Sequence, residues 1–173
     1  MAPKMTGRHR GGAYEDAWSW SAPVDSFVRE VVTERPLLNV CSGATDFGDT
    51  AMDKYHPGAD VRGDWLNLPF AADSFGAVFS DPPWNSGYKR DTALFVQEAL
   101  RVAPVVYVMA PFLYVSRKAR ITQTWVRHLP GIHNPVLFVR YERPAGATPA
   151  ADSYYWQDKE RKRNRRAQEA LFS

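Results

Sequence analysis

A single cysteine, Cys41, stands among the 173 residues of this chain. One thiol excludes an intramolecular disulfide framework and any zinc centre built from several thiolates. Long apolar runs are also missing. The longest, Val102 to Val115, is interrupted by Pro104 and Pro111 and is shorter than the roughly 20 residues a bilayer-spanning helix requires, so no membrane association is expected. The histidines His9, His56, His128 and His133 have no ligand spacing on one helix face, and no metal site is expected from them. Met1 to Gly12 is polar and basic rather than a charged-then-apolar leader, which makes the cytoplasm the expected compartment. No internal repeat is present.

What the sequence does contain is ordinary in amount and uneven in placement. Hydrophobic residues make up 45% and charged residues 24%, enough apolar material for one domain with its own core and too little length for two. The net charge is +3, with a pI near 9.1. Residues 1–12 carry Lys4, Arg8 and Arg10 without an acid, and residues 157–173 carry six bases against Asp158, Glu160 and Glu169. The middle, 13–156, holds 13 bases and 16 acids. A mildly acidic body with basic ends places attraction to a polyanion at the ends and leaves the body to hold something else.

From Leu37 to Val139, short apolar runs alternate with polar or amphipathic stretches, the rhythm of an α/β domain with a mainly parallel sheet flanked by helices. A helix is predicted over Pro23 to Thr33, capped by Ser21, with Val24, Phe27, Val28, Val31 and Val32 on one face. Strands are predicted at Leu37–Val40, Thr50–Met52 ending at Asp53, Asp60–Arg62, Ala77–Phe79, Val105–Met109 and Pro135–Arg140. Too few residues separate the first two for a full crossover helix, so that connection should be abbreviated. Helices are expected at Asp91–Val102 and near Ser116–His128. The prolines and glycine of Arg143 to Ala151 mark a boundary. The expected parts are thus an N-terminal basic and aromatic segment (1–22), a main domain (23–143), and a linker with a basic C-terminal helix or arm (144–173).

The sharpest local signal is Asp81-Pro82-Pro83-Trp84, at the end of a central strand. In an open α/β sheet ligands sit beyond the carboxyl ends of strands, so these residues should line a crevice. A carboxylate, rigid prolines and an indole suit recognition of a planar amino heterocycle. Asp81 and the Pro82 carbonyl can accept both hydrogens of an exocyclic amine, Pro83 holds the backbone in shape, and Trp84 offers a stacking face. Tyr88 is a candidate second wall.

These four residues resemble the D-P-P-W/Y motif of the class I S-adenosylmethionine-dependent amino-methyltransferases, which methylate exocyclic amines of adenine or cytosine. The likeness extends upstream. Leu37-Leu38-Asn39-Val40-Cys41-Ser42-Gly43 is similar to their first strand and glycine loop, and Gly63-Asp64-Trp65-Leu66-Asn67-Leu68-Pro69-Phe70 with Asp73-Ser74-Phe75-Gly76-Ala77-Val78 to the segment entering their fourth strand. Residues 36–112 carry the match. The resemblance implies a Rossmann-like class I methyltransferase fold with S-adenosyl-L-methionine as cofactor. It assigns Cys41, Ser42 and Gly43 to the cofactor's methionine end, Asp53 to its ribose hydroxyls, and Asp64 and Trp65 to its adenine. Asp81, Pro82, Pro83 and Trp84 become the catalytic set. Cys41 and Ala44 depart from the pattern, standing where glycine is common, and the spacing to Asp53 is short.

Blander roles remain open at several of these positions. Asp53 and Asp64 also suit turn or cap acids, Ser42-Gly43 a plain turn, and Cys41 a small buried hydrophobe. In the tail, Lys159, Arg161, Lys162, Arg163, Arg165 and Arg166 form either a solvated face or a phosphate-contacting arm, preceded by Tyr154, Tyr155 and Trp156. Tyr14, Trp18 and Trp20 pose the same question at the other end, near the crevice if the first helix packs at the sheet edge. The favoured activity is methyl transfer to adenine N6 in DNA, with DNA as partner and with specificity either low or supplied by a homodimer. Cytosine N4, RNA, a small molecule, or a noncatalytic nucleic-acid-binding module on the same fold are the alternatives.

Overall fold

The computed structural model describes residues 20–82, 88–111, 121–130 and 135–149. Within them the chain runs α1 (Ala22–Val31), β1 (Leu37–Val40), β2 (Thr50–Asp53), β3 (Val61–Arg62), β4 (Ala77–Ser80), α2 (Tyr88–Val102), β5 (Val105–Pro111), β6 (Ile121–Arg127) and β7 (Val136–Glu142). The strands form one sheet in the order β3-β2-β1-β4-β5-β7-β6. The first five in that order pair in parallel, whereas β7 pairs antiparallel with both β5 and β6. This is an α/β, Rossmann-like arrangement, as the alternation of apolar runs predicts.

Each central strand is apolar on both faces, and the two-residue alternation of side chains sends neighbours to opposite cores. On one face Leu38, Val40, Val78, Val106 and Val139 meet Phe95, Ala99, Leu100 and Val102 of α2. On the other, Leu37, Ala77, Phe79, Tyr107 and Phe138 meet Val24, Phe27 and Val28 of α1. Full burial of side chains such as Phe79, Phe95 and Leu37 contributes about 1.5–3 kcal/mol apiece. Gly76, just before β4, lies so close to the preceding chain that an added Cβ would stand 2.4 Å from the Arg35 carbonyl oxygen. No larger residue fits there without moving the backbone.

Three expectations change. The segment predicted as a helix near Ser116–His128 instead holds strand β6. Its Ile121, Thr122, Thr124, Trp125 and Val126 are β-branched or aromatic residues that suit a half-covered edge strand, and β7 offers an unpaired edge for them. Ser21 occupies the N-cap position of α1, but its side chain makes no cap bond; the Ser21 carbonyl instead accepts the Val24 and Asp25 amides at 2.9 and 3.0 Å. Helix α2 begins at Tyr88, one turn earlier than the apolar pattern indicated. The abbreviated connection between β1 and β2 is as anticipated, since residues 41–49 contain turns and no helix. Among the described residues, no helix is long and apolar enough to cross a membrane.

Charged side chains also brace the α2 face from within. Glu98 and Arg101 are buried and paired at 2.7 Å. Glu98 Oε1 accepts the Leu68 amide at 3.1 Å, and Arg101 donates to the carbonyls of Leu68 (2.8 Å) and Phe70 (2.7 Å). The polar groups of the segment between β3 and β4 are thereby satisfied inside the core, where leaving them unpaired would be costly.

Candidate active site

Strand β1 continues to β2 on one side of the sheet, while β4 continues through α2 to β5 on the other. Neighbouring strands β1 and β4 thus flank the point where the winding reverses, the position at which open α/β sheets bind ligands beyond the carboxyl ends of their strands. The loop after β1 starts with Cys41, Ser42 and Gly43; the segment after β4 starts with Asp81 and Pro82. The residues singled out in the sequence therefore converge although 38 positions separate Gly43 from Asp81 in the numbering.

The first wall is built by backbone geometry. Cys41 and Gly43 both adopt positive φ, at 59° and 53°, which turns the chain sharply off the strand. Glycine takes this conformation without steric cost and cysteine does not. The Ser42 amide donates to the Met52 carbonyl at 3.2 Å, and the Thr45 amide and hydroxyl both donate back to the Ser42 carbonyl, at 3.1 and 2.7 Å. Ser42 and Gly43 are buried, and Cys41 is half-buried.

Asp53, at the end of β2, locks this loop in place. It is buried, with Oδ2 accepting the Gly43 amide at 3.0 Å and Oδ1 accepting the amides of Tyr55 (2.8 Å) and His56 (2.9 Å). Three of the about four acceptor positions of a carboxylate are thus engaged by backbone. Asp64 is a turn acid as well: Oδ1 accepts the Leu66 amide at 3.0 Å and Oδ2 pairs with Lys54 at 3.0 Å. Trp65 is half-buried on the α2 face, its ring 5.1 Å from that of Phe95.

The second wall begins where the buried Ser80 hydroxyl donates to the Val40 carbonyl at 2.8 Å, joining the ends of β4 and β1. Asp81 is half-buried and Pro82 buried. The Trp20 indole N–H donates to Asp81 Oδ2 at 3.1 Å. Trp20 was singled out in the sequence only as an aromatic of uncertain use, and no local signal pairs it with Asp81.

Electrostatically the site is acidic. Burial pushes the Cys41 thiol strongly up, the charges of Asp53, Asp81 and Asp64 push it further, and a hydrogen bond with Ser80 opposes them. These influences favour the protonated thiol over the nucleophilic thiolate.

Pro83 and Trp84 lie outside the described residues, as do Lys159, Arg161, Lys162, Arg163, Arg165 and Arg166 of the tail. Tyr88 opens α2, with its side chain outside the described set.

No family model and no curated protein matches the chain. Solved structures do. The chain is similar to the PH0226 protein of Pyrococcus horikoshii OT3, at 13% identity over 69% of this chain and 87% of that one, with a TM-score of 0.47. It is also similar to the candidate methyltransferase yhhF of Escherichia coli, at 14% identity over 69% and 81%, with a TM-score of 0.42. A third, a Thermoplasma acidophilum protein, shares 12% identity over 70% and 86%, with a TM-score of 0.43.

Proposed function

We propose that this chain is an S-adenosylmethionine-dependent methyltransferase acting on an exocyclic amine, with adenine N6 in DNA as the favoured acceptor. One observation carries the reading: Asp81 and Pro82 stand at the carboxyl end of β4, across the winding reversal from the Cys41–Gly43 loop at the end of β1. A sharp loop whose backbone can face a ligand thus lies opposite an acceptor-rich segment, with both held by sheet hydrogen bonds.

The residues of the first wall suit the cofactor. At Gly43, which has φ 53°, no side chain blocks close approach of a ligand to the backbone. Asp53 holds the loop and keeps about one acceptor position for a ribose hydroxyl, and Asp64 and Trp65 border the adenine side. The negative charges of Asp53 and Asp81, both felt at Cys41, favour a cationic ligand over an anionic one. When bound, S-adenosylmethionine would supply an electrophilic methyl group on a sulfonium, whose S–CH3 bond breaks to leave a neutral thioether.

The chain's own contribution is to orient the amine. An aromatic amine is a weak nucleophile because its lone pair is delocalised into the ring. Asp81 and the Pro82 carbonyl accept its two N–H bonds, which favours a more tetrahedral nitrogen and frees the lone pair for in-line attack. The nitrogen gains a carbon and gives up one proton, which the Asp81 carboxylate can hold before solvent takes it. A base in a duplex must first leave the stack at a cost of a few kcal/mol, partly offset by stacking on Trp84. The basic ends supply phosphate attraction, Lys159 to Arg166 foremost, and a homodimer would double that surface.

Mass spectrometry of single- and double-stranded DNA incubated with the full chain and S-adenosylmethionine tests this reading. N6-methyladenine should appear with the wild type and be lost with Asp81→Ala. Methylation at cytosine N4 alone would reassign the base, and no transfer to any DNA would overturn the substrate.

A further inference from the structure

Trp20 spans the two walls of the crevice. Its ring meets Phe47 edge-on at 5.6 Å and Phe79 at 5.2 Å, and Phe47 and Phe79 meet edge-on at 5.4 Å. Phe47 belongs to the loop that starts with Cys41, Ser42 and Gly43, while Phe79 lies two residues before Asp81 on β4. Edge-to-face contacts of this kind hold ring orientation as well as burying area. Phe79 in turn stacks on Phe138 at 5.6 Å, so the three-ring cluster is anchored in the α1-side core. From that anchored ring the indole N–H reaches Asp81 Oδ2 at 3.1 Å.

We propose that Trp20 is a positioning residue: its indole N–H fixes the plane of the Asp81 carboxylate while its ring holds the loop after β1 against β4. This rests on the amine-methylating role given to Asp81 above. The plane of a carboxylate turns with its side-chain torsions, and an amine acceptor misplaced by about 1 Å can lose on the order of 100-fold in rate. An indole N–H is a fitting orienting group because it only donates. It grips the carboxylate without competing for the protons Asp81 must accept.

Two measurements on the full-length protein test it. The first is the indole ¹⁵N–¹H resonance of Trp20, assigned among the six tryptophans, in wild type and in Asp81→Ala. Loss of a charge-assisted acceptor should move that resonance well upfield, and a resonance that stays in place overturns the contact. The second is steady-state methyl transfer with Trp20→Phe, which keeps an aromatic ring, smaller than the indole, against Phe47 and Phe79 and removes the donor. Here kcat should fall ~10-fold to 100-fold, the loss of one hydrogen bond to a charged group, with the KM for S-adenosylmethionine and the melting temperature little changed. Unchanged kcat, including a loss of activity confined to a raised cofactor KM, overturns the positioning role. If the wild type transfers no methyl group while the indole shift is still seen, the proposed function fails and the role in catalysis fails with it, but the Trp20–Asp81 contact stands. If Trp20→Phe does not fold, Phe47→Leu, which loosens the indole's seat and keeps its donor, should lower kcat in the same way; no change in kcat would overturn the proposal.

Discussion

The Gly43 amide donates to Asp53 Oδ2 at 3.0 Å, and this bond ties the loop leaving β1 to the end of β2. The acid therefore shapes this loop through the backbone. The Tyr55 and His56 amides share its other oxygen, so Asp53 organises both the loop after β1 and the turn after β2.

Replacing Asp53 should consequently damage stability and ligand binding together. Asp53→Ala leaves three amides without their acceptor, and the expected loss is about 3 kcal/mol, given 1.5–3 for a hydrogen bond to a charged group and incomplete additivity. Urea denaturation should show it, and calorimetry with S-adenosylmethionine should show weakened binding. A variant as stable as wild type would mean the loop holds its shape without the acid.

Glu98 and Arg101 should behave as a unit. Breaking a buried pair by removing one partner typically costs 3–5 kcal/mol, so Arg101→Met is expected to lower stability by about 4 kcal/mol. It leaves Glu98 uncompensated and the Leu68 and Phe70 carbonyls without their donor. The double variant Glu98→Leu with Arg101→Met should recover part of that loss, and a thermodynamic cycle by chemical denaturation measures the coupling. Strictly additive losses would contradict the arrangement.

At Cys41 the backbone decides what is tolerated. With φ at 59°, the β-branched substitution Cys41→Val should destabilise by about 1–2 kcal/mol, whereas Cys41→Gly relieves backbone strain and loses only a small side chain. Because burial and three nearby carboxylates push the thiol up, it should resist iodoacetamide at pH 8 in the native protein and react promptly in denaturant. Rapid native labelling would show that the site is not built as described.

Alkaline stability should depend on two tyrosines. Burial, reinforced by Glu34 at 3.0 Å, pushes Tyr107 up to about 12, and burial alone does the same for Tyr141. An unfolded tyrosine titrates near 10, so the folded state favours the protonated phenols. That stabilisation is complete below about pH 10 and is lost as pH rises through about 12. Denaturant midpoints measured from pH 9 to 12 should fall over this window, less steeply in Tyr107→Phe. A flat profile, or ultraviolet titration of both phenols near pH 10 in the native protein, would refute this.

Much of the architecture was legible because burial on both faces leaves an unambiguous pattern. Leu37–Val40 and Ala77–Phe79 are short, apolar and bounded by polar turns, and the strands fall where those runs lie. Helix α1 was legible from Val24, Phe27 and Val28 recurring on one face. Strand β6 was not: Ile121–Arg127 mixes polar and apolar residues without strict alternation, and its conformation follows from the free edge of β7, which no local window contains. The same holds for the Glu98–Arg101 clamp, whose charges resemble an exposed helical pair until the segment from Leu68 to Phe70 is laid over them.

Local pattern alone determined that this chain builds a mainly parallel sheet and that Asp81 and Pro82 follow a central strand, because side-chain periodicity reports burial directly. Only the tertiary structure decided the partners. Asp53 spends its oxygens on three amides, Cys41 feels the charges of Asp53, Asp81 and Asp64, and Asp81 is gripped by an indole 61 residues earlier in the chain. Such pairings depend on how distant segments cross at the winding reversal, and composition and spacing carry no record of that.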